Sequence, residues 1–246
     1  MNRFSSEQHI VVTGASSGIG AGIAHRLNAD GATVIAIGRD ATRLEAMCTT
    51  ATAPERMFAE RKELTEDIEA LPAYVRTLRE KYGKLRGMVC CAGVTELNPL
   101  RTLDLAKMKH LFDINYFVPL FMAKGFADRR NNSGAGASFV AIGSIAAVSP
   151  AKGVITYSGS KAALVTSIRA IAKEFAASGV RFNTVSPSDI ETPMTANIQE
   201  IMDQVRHFYP MGFGKPEDVA AMVSFLLSDE AHWITGQNYI IDCGSR

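Results

Sequence analysis

Cysteine is scarce in this sequence. Only four are present, Cys48, Cys90, Cys91 and Cys243. No two stand in C-x-x-C spacing. Cys90 and Cys91 are adjacent, and neighbours on a strand point to opposite faces. A disulfide framework is therefore excluded, and a reducing cytoplasmic setting is expected. Long apolar runs are absent too. None approaches the roughly 18 residues of a membrane-spanning helix, and Met1 to His9 lacks the apolar centre of a secretion signal. Charge of one sign is missing: 26 Lys and Arg face 25 Asp and Glu, for a net charge of +1. That balance excludes a chain built on nucleic-acid phosphates, and equally an acidic disordered chain. His, Asp and Glu show no metal-ligand spacing. No repeat, low-complexity tract or linker divides the 246 residues. At about 150 residues per domain the length allows one domain or two. The unbroken pattern favours one, spanning 1–246, long enough to bury its own core without staples.

What is present alternates. Short β-branched runs at His9–Val12, Thr33–Ile37, Arg56–Ala59, Gly87–Cys91, Ser138–Ile142, Val180–Val185 and Asn238–Ile241 read as seven strands. Helical periodicity lies between them, at Gly18–Asp30, Ala41–Thr50, Thr65–Tyr82, Leu103–Arg130, Tyr157–Ala177 and Pro216–Ser228. Pro119 should bend the fourth of these helices. A further helix at Thr195–Tyr209 sits between proline-containing turns and suits a small lid at about 194–212. Such alternation predicts an α/β fold: one Rossmann-type, doubly wound parallel sheet with helices on both faces. Ligands of such sheets bind at the carboxyl ends of the strands, near the switch point.

The first strand ends in Thr13-Gly14-Ala15-Ser16-Ser17-Gly18-Ile19-Gly20. The spacing is G-x-x-x-G-x-G. Glycine permits a tight turn and close backbone approach, and the next helix aims its amino end at a pyrophosphate. A dinucleotide site contacts its ribose about 20 residues later, where NAD sites carry Asp or Glu. Here the second strand ends Ile37-Gly38-Arg39-Asp40. Glycine replaces the carboxylate and Arg39 follows, a guanidinium suited to a 2′-phosphate. NADP(H) is therefore favoured over NAD(H). The alternative makes Arg39 a surface arginine and puts Asp40 on the ribose.

Tyr157 and Lys161 are four residues apart, hence on one helix face. An ammonium beside a phenol stabilises the phenolate and should lower its pKa. Ser144 lies just past the fifth strand, and Asn115 on the long helix after the fourth. The fourth strand ends in Cys90-Cys91-Ala92-Gly93, and the sixth leads into Pro187-Ser188-Asp189-Ile190-Glu191-Thr192. In this order, these motifs make the chain resemble the short-chain dehydrogenase/reductase family from about Ile10 to Gly244. Phe213-Gly214-Lys215-Pro216-Glu217-Asp218 is similar to the 3-oxoacyl-acyl-carrier-protein reductase group.

The resemblance implies roles. Tyr157 is the general acid or base, Lys161 lowers its pKa and holds the nicotinamide ribose, Ser144 bonds the substrate oxygen, and Asn115 positions a proton-relay water. Gly14, Ser16, Ser17, Gly18, Ile19 and Gly20 cradle the phosphates. Arg39, Glu63 and Leu64 take the adenosine end, while Ala92, Gly93, Pro187, Ile190 and Thr192 take the nicotinamide side. Thr13 braces the turn after the fourth strand. The implied reaction is hydride transfer between nicotinamide and a ketone or secondary alcohol, 3-oxoacyl compounds included, in a homo-tetramer or dimer built on the two long helices. The substrate wall is expected from Val94–Pro99, Ile145–Val154 and the lid.

Departures from the family pattern fall at four sites. Cys90-Cys91 stands for Asn-Asn, Ser188 and Cys243 stand for Gly, and Glu63-Leu64 stands for an Asp-led pair. The alternative function they leave open is a cofactor-binding scaffold or a redox-sensing protein with little turnover.

Overall fold

Ile10, Val11 and Val12 are fully buried in the first strand, β1 (His9–Thr13). A β-branched run without alternation is what a strand covered on both faces requires. Burial of each such side chain contributes about 1.5–3 kcal/mol. The computed structural model describes residues 3–192 and 205–245.

The chain continues through α1 (Gly18–Ala29), β2 (Thr33–Gly38), α2 (Ala41–Thr49), β3 (Met57–Arg61), α3 (Leu71–Tyr82) and β4 (Leu85–Cys90). Then come α4 (Leu105–Phe112), α5 (Val118–Ala127), β5 (Ser138–Ile142), α6 (Ile155–Phe175), β6 (Arg181–Pro187), α7 (Pro216–Leu227) and β7 (Asn238–Ile241). The seven strands form one sheet in the order β3-β2-β1-β4-β5-β6-β7. Every neighbouring pair is parallel. The order reverses between β1 and β4, so the switch point lies between the loops after Thr13 and Cys90.

Two apolar layers sandwich the sheet. One holds Ile23 and Leu27 of α1 with Val219, Val223 and Leu227 of α7. The other holds Val75 of α3, Met122 and Phe126 of α5, and Leu164 and Ile168 of α6. Cys90 belongs to the second layer and Cys91 packs against the first, as the strand's alternation predicts. α3 and α5 pack closely at Gly125, where a Cβ would come within 2.8 Å of Val75.

Two helices differ from the sequence reading. The charged stretch before α3 is not helical: the helix begins at Leu71, with Pro72 in its first turn. Proline fits there because its missing N–H would have no intrahelical partner. Asp67 Oδ1 accepts from the Ala70 amide 3.1 Å away and closes the preceding turn. The expected Leu103–Arg130 helix is two helices, α4 and α5, joined by a π turn at Asp113–Phe117. The break comes before Pro119, which sits in the first turn of α5. Proline has no N–H to return to the carbonyl four residues back, that of Asn115. The Val118 N–H donates instead to the Asp113 carbonyl, one residue beyond the α-helical partner. The expected lid falls mostly on residues 193–204, outside the described residues. Among its described residues, Arg206–Phe208 form a single 3-10 turn.

Candidate active site

The glycine loop closes against the end of β4. Gly14 has φ +68, and a Cβ there would lie 2.8 Å from the Ala92 backbone nitrogen. A Cβ on Gly20 would run into the Gly14 carbonyl. Thr13 Oγ1 accepts from the amides of Cys91 (3.1 Å) and Ala92 (3.2 Å), so it ties β1 to the fourth-strand turn as expected. Ser17 caps α1 in an extended conformation, and its side chain makes no capping hydrogen bond. The first-turn amides of α1 therefore keep their donors for an anion. A Cβ on Gly18 would lie 3.4 Å from the Thr192 side chain, which brings the loop after β6 over this cradle.

At the end of β2, a Cβ on Gly38 would stand 3.3 Å from both the Ser16 side chain and Leu44. A carboxylate at this position would have to displace one of them. Arg39 is 70% exposed and lies 3.6 Å from Glu63. Burial raises the Glu63 carboxyl, but hydrogen bonds from Thr65 and the Arg39 charge outweigh it and hold it below its usual value. Asp40 is engaged elsewhere: it accepts from the Arg43 amide at 3.0 Å as the N-cap of α2 and pairs with the Arg43 guanidinium. Leu64 is buried in the second apolar layer. Crowding at Gly38, exposed Arg39 and capping Asp40 thus leave no carboxylate free at the end of β2.

The four expected catalytic residues come from the segments that follow two strands, β4 for Asn115 and β5 for Ser144, Tyr157 and Lys161. Asn115, in the π turn, is fully buried. Its Oδ1 accepts from the Val94 amide at 2.9 Å. Its Nδ2 donates to the Val94 carbonyl at 2.8 Å and to Ser160 Oγ at 3.3 Å. A Cβ on Gly93 would meet Asn115 Oδ1 at 3.1 Å and Lys161 Nζ at 3.5 Å, so Gly93 lies between them. Ser144, just after β5, accepts from the Ala146 amide at 3.1 Å, which leaves its hydroxyl proton to donate. Lys161 Nζ donates to the Ile142 carbonyl at 2.8 Å and lies 5.9 Å from the Tyr157 ring centre. Burial pushes the Lys161 ammonium down to about 8.

Tyr157 departs from expectation. Its phenol is raised, not lowered: burial acts most strongly, the hydrogen bond with Ser144 opposes it, and the charges of Asp189 and Cys91 add to the rise. A lysine whose ammonium is bonded to the Ile142 carbonyl does not overcome this burial.

After β6, Ile190 is buried and bridges to Gly214. The Ser188 amide donates to Ile241, which extends the pairing beyond Pro187. The Asn98 amide donates to Gly153 at 2.6 Å, which joins the two expected substrate walls. Sequence reading gave no role to Ser160 or Asp189, and placed Tyr209 only within the lid. Ser160 steadies Asn115. Tyr209 donates to Asp189 Oδ2 at 2.6 Å and sits 2.8 Å from Ser188 Oγ. Proximity to Pro187 was the available signal for Asp189; Tyr209 had none beyond its place in an amphipathic stretch. Among the described residues no group of His, Cys, Asp or Glu is placed to hold a metal, and no helix is long and apolar enough to cross a membrane.

A family model described as enoyl-(acyl carrier protein) reductase matches residues 14–246. The 3-oxoacyl-[acyl-carrier-protein] reductase FabG of Thermotoga maritima is 32% identical over 245 residues, 95% of this chain and 96% of that protein. Acetoacetyl-CoA reductase of Synechocystis is 34% identical over 233 residues, 93% and 92% of the two chains. Among solved structures, a short-chain dehydrogenase from Burkholderia cenocepacia in complex with NADP superposes with a TM-score of 0.91 at 30% identity, covering 99% of both chains. A short-chain dehydrogenase/reductase from Brucella melitensis, titled glucose/ribitol dehydrogenase, gives a TM-score of 0.92 at 28% identity over 100% and 99%.

Proposed function

Because the chain belongs to the short-chain dehydrogenase/reductase family, in its 3-oxoacyl-acyl-carrier-protein reductase-like group, we propose that it is an NADP(H)-dependent oxidoreductase interconverting a ketone and a secondary alcohol. The observation that carries this reading is the convergence of Ser144, Tyr157, Lys161 and Asn115 beside the glycine loop. The preference for NADP(H) rests on Gly38, where a side chain is crowded, on exposed Arg39, and on Asp40 being used as a helix cap.

Gly14 to Gly20, Arg39, Glu63 and Leu64 would hold the adenosine and phosphate end. Ala92, Gly93, Tyr157, Lys161, Pro187, Ile190 and Thr192 would hold the nicotinamide end. The nicotinamide, when bound, supplies or accepts the hydride. In reduction Tyr157 gives its proton to the developing alkoxide, and Ser144 donates a hydrogen bond to the same oxygen. Lys161, pushed down to about 8, would return that proton from its place beside Tyr157. The Asn115 carbonyl, which Pro119 cannot bond, would fix the water that refills Lys161.

The redox-sensing alternative loses support at the cysteines. Burial pushes both thiols up, Cys91 to about 12. A reactive sensor cysteine needs the opposite shift. We also read the protein as a cytoplasmic one, and as a homo-oligomer, a dimer or tetramer; the oligomer reading rests on Leu105 of α4 and Ile155 of α6, exposed apolar residues on the two helices expected to pair.

Replacing Tyr157 with Phe tests the mechanism. The variant should keep most of its NADPH binding yet lose carbonyl reduction by at least about a hundredfold. Near-parental turnover would remove Tyr157 as the acid.

A further inference from the structure

Ser188 stands where the family pattern has glycine, and the proton route above does not use it. The structure gives its hydroxyl a partner. Ser188 Oγ lies 2.8 Å from the Tyr209 hydroxyl, which in turn lies 2.6 Å from Asp189 Oδ2. A phenol has one proton to give. Tyr209 gives it to the carboxylate, so Ser188 is the donor in the other contact. The two bonds run one way, from Ser188 through Tyr209 to Asp189, and the second is charge-assisted.

The backbone fastens the same stretch. The Gly214 amide donates to the Asp189 carbonyl at 3.1 Å, and the Glu191 amide donates to the Gly214 carbonyl at 2.8 Å. Ile190 is buried against this ladder: a Cβ on Gly214 would come within 2.5 Å of its Cδ1. Tyr209 is itself fixed, its ring 4.8 Å from that of Phe213. Side chains and backbone together thus clasp residues 188–191 to residues 209–214. Thr192 comes next, and its side chain is the one that reaches over the start of α1, 3.4 Å from where a Cβ on Gly18 would stand.

We propose that Tyr209 is a positioning residue for the nicotinamide half of the cofactor: its hydroxyl, between Ser188 and Asp189, holds the loop after β6 so that Ile190 and Thr192 meet the dinucleotide in one arrangement. The inference rests on the oxidoreductase reading above. A loop held in only a fraction of the molecules lowers affinity by that fraction. The loss falls on the nicotinamide half alone, because β6 is separated from β2, which leads into Arg39, by three strands of the sheet.

Tyr209→Phe removes the hydroxyl and keeps the ring beside Phe213. One readout needs no ligand. Amide hydrogen exchange at Glu191 should quicken at least about fivefold in the variant, whereas the Arg181 amide, bonded to Ala137 at the other end of β6, keeps its rate. An unmoved Glu191 amide overturns the proposal.

The decisive readout separates the two halves of the cofactor. NADPH is titrated by its fluorescence, and adenosine 2′,5′-bisphosphate, the adenosine half alone, by calorimetry. In Tyr209→Phe, NADPH should bind at least about fivefold more weakly while the bisphosphate stays within about twofold. Ser188→Ala should show a smaller loss of the same kind, and less than about a twofold further loss in the Tyr209→Phe background, where its acceptor is gone. If the parent prefers NADH, the same comparison is made with NADH against ADP. A general loss of structure would weaken both ligands alike, and that result overturns the proposal, as does unchanged dinucleotide binding in Tyr209→Phe. A parent protein that binds neither NADPH nor NADH overturns the oxidoreductase reading, and this role for Tyr209 with it.

Discussion

Asn115→Ala should destabilise the fold as well as stop turnover. The amide of Asn115 is fully buried and bonds both polar atoms of the Val94 peptide, N at 2.9 Å and O at 2.8 Å. Alanine leaves that N–H and C=O without their partner in a partly buried place. Each unsatisfied group costs about 1–3 kcal/mol, and water admitted to the cavity recovers some of it. Ser160 Oγ loses less, because it still donates to the Tyr157 carbonyl at 2.7 Å. The sum is about 2–4 kcal/mol. At roughly 2–4 °C per kcal/mol for a chain of this size, Tm should fall by about 5–15 °C. Urea unfolding gives the free energy and scanning calorimetry the temperature. Asn115→Asp should lie between the two, since it can accept from Val94 N but cannot donate to Val94 O. A loss under about 0.5 kcal/mol in the alanine variant would refute the claim that this side chain holds the loop after β4.

Further outcomes follow from charge and crowding. Gly38→Asp should weaken NADPH binding at least about tenfold, by crowding Ser16 and Leu44 and by repelling the 2′-phosphate; a fluorescence titration with unchanged affinity would contradict this. Lys161 is pushed from its ordinary value of 10.5 down to about 8, so the unfolded chain binds more protons there between those limits. The penalty for burying this charge is fully present below about pH 8, fades as pH rises, and is gone above the unfolded value. Lys161→Met should therefore be inactive yet about 1–3 kcal/mol more stable at pH 7, the gain vanishing toward pH 10.5; urea melts at both pH values check it, and a less stable variant at pH 7 would contradict it. Arg86 and Arg181 are buried together, each with an unbonded nitrogen, and Arg181 is driven down to about 10 by burial and by Arg86. Arg86→Met removes that repulsion, and because its partner Asp229 is 85% exposed, no buried carboxylate is stranded. Its midpoint in urea should stay the same or rise, whereas a loss beyond about 2 kcal/mol would show the Arg86–Asp229 pair to be needed.

Much of the site was legible because its spacing is local. A strand followed by G-x-x-x-G-x-G has few ways to turn, and Tyr157 and Lys161 meet through helix geometry alone. Strand positions followed from β-branched runs, with ends shifted by a few residues at β3, β4 and β6. The π turn was not legible: apolar residues continue through Asp113–Phe117, and only Pro119 hints that a hydrogen bond is missing. The start of α3 was hidden because charged residues at helical spacing precede Pro72 whether or not they form a helix. The raised Tyr157 phenol was misjudged because burial is a tertiary property that the Tyr–Lys spacing does not carry. Asp189 and Tyr209 are 20 residues apart and meet only once β6 has placed one and Phe213 has stacked the other.

The central claim is a nicotinamide site that prefers the phosphorylated dinucleotide. The most direct test is a fluorescence titration of the purified protein with NADPH and, separately, with NADH. The account predicts saturable binding of both, with NADPH at least about tenfold tighter through Arg39. Binding of neither would contradict it, and would show that Cys90, Cys91 and Ser188 have cost the chain its cofactor.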